Sequence, residues 1–186
     1  TASCHGCGTC VAECPQHAIT QMHFTDAQIL AQIRAALEDK PEEKILAILC
    51  NWCSYAGADL AGISRFDYPA SVRAIRVMCS GRVAREFVLE ALRLGAGMVL
   101  VGACHLPYDC HYISGNLAAR RKFALTKKFL EFVGVEPERV QFSWVSASEG
   151  KRFSDLMNRV IADVRRVGPA QRLVKRLSGE KAGFEQ

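Results

Sequence analysis

Three short apolar runs, each ending at a cysteine, dominate the hydrophobic pattern of the chain. They cover residues 45–50, 72–79 and 98–104. Each run has the length of a β-strand and is followed by a loop and then by a segment with helical spacing of its apolar residues. This alternation of strand and helix predicts a parallel sheet with helices on its faces.

The pattern beyond these runs completes an α/β domain over residues 44–168. A fourth strand is expected over residues 140–145, and helices are expected around residues 58–63, 83–94 and 117–132. Ser146 and Glu149 have the spacing of a capping box for a last long helix, which Gly168 and the proline after it would end. The fold class predicted from these elements is α/β, with a four-stranded, mostly parallel sheet and flanking helices.

The first 40 residues have a different pattern. Residues 19–24 are compatible with a short strand, and Thr25 and Gln28 are spaced as in a capping box. The helix that follows has Ile29, Ile33 and Leu37 on one face. A polar stretch over residues 39–43 then separates this segment, residues 1–40, from the α/β domain.

Four closely spaced cysteines identify this first segment as ferredoxin-like. Residues 4–15 read C-x-x-C-x-x-C-x-x-x-C-P, the bacterial ferredoxin run for a 4Fe–4S cluster, with Cys4, Cys7, Cys10 and Cys14 as its thiolates. In two-cluster ferredoxins the last cysteine of such a run ligates the other cluster. Cys14 is therefore predicted to serve a second cluster, whose other ligands would lie upstream of Thr1 in a longer polypeptide. The alternatives are one local cluster held by all four thiolates, and a structural zinc ion.

Five further cysteines are expected to meet at one edge of the sheet. Cys50, Cys79 and Cys104 end the three apolar runs, and Cys53 and Cys110 lie in the loops after the first and third runs. Parallel strands end at the same edge, and ligands of open α/β sheets bind there. Neighbouring strands are about 4.8 Å apart, so these thiols should converge.

Three chemistries fit five convergent thiols. An iron–sulfur cluster needs four thiolates, which would leave one of the five spare. Structural zinc would use Cys50, Cys53 and two others. A thiol–disulfide oxidoreductase would use Cys50 and Cys53 as a C-x-x-C pair before a helix. The neighbouring ferredoxin run favours the iron–sulfur cluster, because one electron carrier usually exchanges electrons with another.

Several neighbours of these cysteines have two interpretations. His105 and His111 are candidate ligands or hydrogen-bond donors to a cluster sulfur. Aromatic residues near the thiols are expected to shield the site from water, among them Trp52 and Tyr108. Arg82 either stabilises a reduced cluster or pairs with a carboxylate at the surface.

Composition narrows the function further. The chain has nine cysteines, an odd number, and its first residues lack the pattern of an export signal, so a disulfide framework is not expected. No apolar run has the roughly 20 residues that a membrane span needs. The net charge of +5 is modest, and we interpret it as a solvated basic surface rather than a nucleic-acid site. Residues 169–186 form a basic tail.

Three motifs of the α/β domain resemble those of a known family. They are residues 50–59 (CNWCSYAGAD), 78–82 (MCSGR) and 110–116 (CHYISGN). Together they resemble the delta iron–sulfur subunit of the methyl-viologen-reducing hydrogenases. Residues 24–30 (FTDAQIL), with the ferredoxin run, resemble the C-terminal ferredoxin region of a heterodisulfide reductase A subunit. Residues 106–109 depart from the family, which usually has Pro-Gly-Asp in that loop.

The resemblance implies a cofactor, partners and a location. It implies a 2Fe–2S cluster held by four of the five cysteines of the α/β domain. It also implies a cytoplasmic complex of anaerobes, in which the chain passes electrons from a hydrogenase or similar donor to a flavin-containing heterodisulfide reductase A subunit. We therefore expect a component of an oxidoreductase complex rather than a catalyst on its own.

Overall fold

The computed structural model describes residues 4–169 of the chain. Within them a four-stranded sheet is covered by helices on both faces. The strands are β1 (Ile45–Cys50), β2 (Val72–Val77), β3 (Met98–Ala103) and β4 (Val140–Trp144). The helices are α1 (Thr9–Glu13), α2 (Asp26–Ala36), α3 (Ala56–Ile63), α4 (Arg85–Arg93), α5 (Gly115–Phe132) and α6 (Gly150–Val167). The predicted basic tail lies outside the described residues from position 170 onward.

All strand pairs of the sheet are parallel, which confirms the predicted fold class. The strand order is β2-β1-β3-β4, and β1 and β3 at the centre are buried along their whole length. The chain moves to one side of β1 for β2 and to the other side for β3. This reversal creates a crevice beyond the carboxyl ends of β1 and β3, where open parallel sheets bind ligands.

Alternating side chains of the central strands supply two hydrophobic cores. Leu46 and Ile48 of β1 point to a layer formed by α2, α4 and α5, whereas Ile45, Ala47 and Leu49 point to α3 and α6. This alternation follows from the two-residue period of a strand. The sheet is therefore fixed from both sides, which holds the ends of its strands in place.

The segment before β1 packs onto this body. The capping box of Thr25 and Gln28 is formed at the start of α2, and Ile29 and Ile33 enter the same core as β1 and α4. The short strand expected over residues 19–24 is wrong, because the backbone there is turn and irregular structure. His23, with a φ of 66°, lies in the left-handed region that an extended strand cannot contain.

Helix α6 begins later than the sequence pattern indicated. Glu149 is its N-cap residue, and no side chain caps the helix. Only half of the expected box is formed, since the Glu149 carboxylate accepts a hydrogen bond from the backbone N–H of Ser146 at 2.8 Å. Among residues 4–169, no helix is long and apolar enough to cross a membrane.

Candidate metal centres

The carboxyl ends of β1 and β3 bring two thiols into contact. Cys50 is the last residue of β1, and Cys104 directly follows β3. Because these strands are neighbours, the two sulfur atoms lie 3.6 Å apart, and both residues are buried. Both cysteines are free. The convergence expected from the sequence is confirmed for this pair.

The start of α5 brings the next two thiols together. Cys79 lies in the loop after β2 and Cys110 in the loop before α5. A methyl group on Gly115 would lie 2.1 Å from Cys79 Sγ and 3.5 Å from Cys110 Sγ. The absence of a side chain at Gly115 therefore allows both sulfur atoms to approach the first turn of α5.

These four thiols form a closed ring. Hydrogen bonds link Cys50 with Cys104 and Cys79, and link Cys110 with the same two residues. Cys53 joins from outside, next to Cys50 and Cys104, and its sulfur lies 3.9 Å from the carbonyl oxygen of Asp109. The structure thus brings all five predicted cysteines together but gives one of them a different position.

The ring holds protons unevenly. Hydrogen bonds from the thiols of Cys104 and Cys79 lower the pKa of Cys110 to about 2. The same kind of bond, first of all from Cys104, also lowers the pKa of Cys50. Conversely, donation to Cys110 and Cys50 raises the pKa of Cys79 and of Cys104. Two thiolates and two thiols therefore alternate around the ring.

The donor set of the ring fits an iron–sulfur cluster. Four thiolates suffice for a 2Fe–2S or a 4Fe–4S cluster, and the ring supplies four buried sulfur atoms in two pairs. In residues 4–169, no group of three or more Cys, His, Asp or Glu side chains is arranged around a single metal ion.

The two histidines near the ring interact with other side chains. His105 Nε2 lies 2.6 Å from Glu149, and the His111 ring stacks on Trp52 with centroids 3.8 Å apart. The pKa of Glu149 falls to about 2, first because the Ser146 N–H binds its carboxylate and then because of His105. Four cysteines are available without either histidine.

An aromatic cluster covers one side of the ring. Trp52 Nε1 donates a hydrogen bond to the Tyr112 hydroxyl at 2.9 Å, and burial raises the pKa of Tyr112. Trp52 is still 41% exposed, so it lies at the border between the site and solvent. The expectation that Tyr108 shields the site is wrong, because its side chain is 93% exposed.

The N-terminal cysteines lie on a loop around α1. Gly6 and Gly8 have φ values of 74° and 77°, which glycine adopts without strain and which turn the loop around the thiols. Cys4 and Cys10 are exposed, and Cys7 and Cys14 are partly buried. Backbone N–H groups of Ala18 and Gln16 lower the pKa of Cys14.

A thin layer of backbone separates this loop from the ring. A methyl group on Gly81 would lie 2.2 Å from the Thr9 hydroxyl and 3.1 Å from the carbonyl oxygen of Gly115. The Cys7 thiol donates to the Thr9 hydroxyl at 3.6 Å, and Gly115 touches Cys79. The two cysteine groups are therefore neighbours in space.

Lys122 fixes the same contact from the side of α5. Its buried ammonium group donates to the carbonyl oxygens of Gly81 and Val83, both at 3.0 Å. It also pairs with Glu13 of α1 at 2.9 Å. Burial lowers the pKa of Lys122. Sequence reasoning missed Lys122, Gly81 and Gly115, although the Ser-Gly steps after Cys79 and Cys110 were a signal for the two glycines.

Comparison with known proteins gives two family matches. Residues 45–168 match the family described as "Methyl-viologen-reducing hydrogenase, delta subunit". Residues 1–20 match the 4Fe-4S binding domain. The two matches correspond to the α/β body and to the loop that carries Cys4, Cys7, Cys10 and Cys14.

Individual relatives are of two kinds. The iron–sulfur D subunit of the F420-non-reducing hydrogenase of Archaeoglobus profundus is 49% identical over 133 residues, which are 72% of this chain and 96% of that protein. The A subunit of the Ferredoxin:CoB-CoM heterodisulfide reductase of Methanosarcina mazei is 46% identical over 160 residues, which are 86% of this chain. The chain spans only 20% of the length of that second relative.

Proposed function

The chain belongs to the family of the methyl-viologen-reducing hydrogenase delta subunit, and on this premise we propose that it is an electron-transfer subunit with two iron–sulfur clusters. Cys4, Cys7, Cys10 and Cys14 would serve 4Fe–4S chemistry in the N-terminal loop. The ring at the strand ends would hold a 2Fe–2S cluster. Such clusters accept and release single electrons when bound.

The ring of buried thiols is the observation that carries this proposal. A 2Fe–2S cluster takes two protein ligands on each of its two irons. Cys50 and Cys104, 3.6 Å apart, would form one pair of ligands. Cys79 and Cys110, which meet at Gly115, would form the other pair. Cys53 is then the thiol that is not a ligand.

The protein's own residues prepare this site for electron transfer. The strands hold four sulfur atoms at fixed positions, so little rearrangement accompanies a change of charge. Core side chains behind the ring exclude water, and the aromatic cluster of Trp52, His111 and Tyr112 covers one side. The contact between Gly81 and Thr9 brings the second cysteine group close.

The proposed partners come from the two kinds of relative. Both the hydrogenase iron–sulfur protein and the heterodisulfide reductase protein contain a region similar to this chain. We place the chain between a hydrogenase-type electron donor and a flavin-containing heterodisulfide reductase A subunit, which belongs to the same or a separate polypeptide. Free cysteines in this number suit a reducing compartment, so the proposed location is the cytoplasm.

A dithiol catalyst that uses Cys50 and Cys53 is less well supported. Residues 51–55 form a π-helical turn, and α3 begins only at Ala56. Cys50 therefore lacks the position directly before an α-helix that lowers the pKa of a catalytic thiol. Such a catalyst also has no use for Cys79, Cys104 and Cys110.

Metal and sulfide analysis of the anaerobically purified chain tests the proposal. We expect iron and acid-labile sulfide, and low-temperature EPR of the reduced protein should contain separate 2Fe–2S and 4Fe–4S signals. Rapid mixing with a reduced hydrogenase should then reduce both clusters. Zinc without sulfide, or a colourless protein that reduces disulfides, would contradict the proposal.

A further inference from the structure

Arg82 is a buried cation with unused hydrogen-bond donors. Its side chain is 0% exposed. Nη2 donates to the carbonyl oxygen of Phe24 at 2.9 Å and to Asp26 at 2.5 Å. Nε and Nη1 have no acceptor in the described part of the chain. Two unpaired donors on a buried charge are costly, at roughly 1–3 kcal/mol or more for each group, so an acceptor is expected.

The side chain of Arg82 runs directly beneath the N-terminal cysteine loop. A methyl group on Gly8 would lie 2.5 Å from Arg82 Cδ. Gly8 stands between Cys7 and Cys10, and Nε is bonded to Cδ. The unused donors are therefore next to the loop that matches the 4Fe-4S binding domain.

The known neighbours of Arg82 do not use these donors. Phe87 lies under the guanidinium, with Cζ 5.2 Å from the ring centroid, and such a contact engages the face of the group rather than its N–H bonds. Gln21 Oε1 is also near Gly8 and also lacks a partner. A bond between Gln21 and Arg82 is the purely structural alternative that an experiment must distinguish.

We propose that Arg82 Nε and Nη1 donate hydrogen bonds to the sulfur atoms of the 4Fe–4S cluster held by the N-terminal loop. Arg82 is then a positioning residue that makes this cluster easier to reduce. This inference rests on the proposed function. Thiolate-ligated clusters are anionic, and hydrogen bonds to their sulfurs and nearby positive charge favour the reduced state. Burial strengthens the effect, because water does not screen the charge.

Two substitutions with opposite charge effects test this role. Arg82→Gln removes the cation, and Asp26→Asn removes the carboxylate that partly neutralises it. EPR-monitored redox titration of the full chain should show at least a tenfold shift of the 4Fe–4S couple toward the oxidised form in Arg82→Gln. This equals a potential about 59 mV more negative for a one-electron couple. Asp26→Asn should shift the couple in the opposite direction, and Arg82→Lys should retain part of the wild-type value.

The signs of the two shifts separate electrostatics from loosening of the structure. If Arg82 only supports the loop, both substitutions loosen the same contact and move the potential in the same direction. That result, or a change of less than twofold in Arg82→Gln, would overturn the inference. If Arg82→Gln fails to assemble the cluster, the sign of the Asp26→Asn shift decides. Absence of sulfide from the wild-type chain would instead contradict the proposed function itself.

Discussion

Cys53 is the thiol whose surroundings differ most from those of the other four at the strand ends. It follows Cys50 by one helical turn and lies against Asp109, 3.9 Å from the carbonyl oxygen and 4.0 Å from Oδ2. A carboxylate beside a thiol opposes its ionisation, and an iron ligand must be a thiolate. The C-x-x-C spacing suggested the opposite, that Cys50 and Cys53 act as a pair.

Serine substitutions distinguish ligands from the spare thiol. We expect Cys50→Ser and Cys104→Ser each to lose or alter the 2Fe–2S EPR signal, because each removes a member of the ring. Cys53→Ser is the matched control and should retain the wild-type signal and iron content. The strand-end site is wrong if Cys50→Ser and Cys104→Ser both keep the wild-type spectrum. Loss of the cluster in Cys53→Ser alone would reassign the spare thiol.

At the scale of elements, the start of α5 is the part that completes the ring. Helix α5 begins at Gly115, five residues after Cys110, and its first turn lies against Cys79 Sγ. Neither the length of α5 nor its apolar face required a glycine at this position. The close approach of a sulfur atom from another loop does require it.

Gly115→Ala should therefore damage the cluster site more than the helix. Its methyl group would lie 2.1 Å from Cys79 Sγ, so we expect reduced 2Fe–2S content and a loss of roughly 1–3 kcal/mol in the free energy of unfolding. Gly62→Ala in α3 is the control, since nothing lies within 4 Å of its added methyl group. Helix propensity should make that variant neutral or slightly more stable. Equal iron content in both variants would contradict the role of Gly115. Iron analysis and urea unfolding provide the two measurements.

At the scale of the whole molecule, ion pairs tie the N-terminal segment to the α/β body. Glu13 pairs with Lys122, Asp26 with Arg82, and Arg34 of α2 with Glu90 of α4 at 3.0 Å. Together with Ile29 and Ile33 in the shared core, these pairs fix the ferredoxin-like loop next to the strand-end thiols. The segment is therefore held where electrons can pass between the two cysteine groups.

The Glu90 pair makes the stability of this junction depend on pH. Arg93 and then Arg34 lower the pKa of Glu90 to about 2 from an ordinary value of 4.5. A depressed carboxyl pKa stabilises the fold above the unfolded value, and this contribution is lost as the pH falls from 4.5 toward 2. Glu90→Gln should therefore lower the free energy of unfolding at pH 7 by about 0.5–1 kcal/mol.

Urea unfolding of the wild type and Glu90→Gln from pH 7 down to about pH 2 measures this dependence. The difference between the two proteins should shrink as Glu90 becomes protonated. Glu86→Gln on the exposed side of the same helix is the control and should change little at any pH. A constant difference between wild type and Glu90→Gln over the whole range would contradict the assignment.

The local pattern by itself determined the α/β class, the ferredoxin run and the placement of cysteines at strand ends, because apolar periodicity and motif spacing are short-range properties. It predicted a strand at residues 19–24 wrongly, since a left-handed turn at His23 depends on contacts from elsewhere in the fold. Only the tertiary structure decided that β1 lies between β2 and β3. That order pairs Cys50 with Cys104, brings Cys79 to Gly115 and buries Arg82 under the N-terminal loop. Strand order and helix docking arise from the packing of distant surfaces, and no spacing along the chain contains that information.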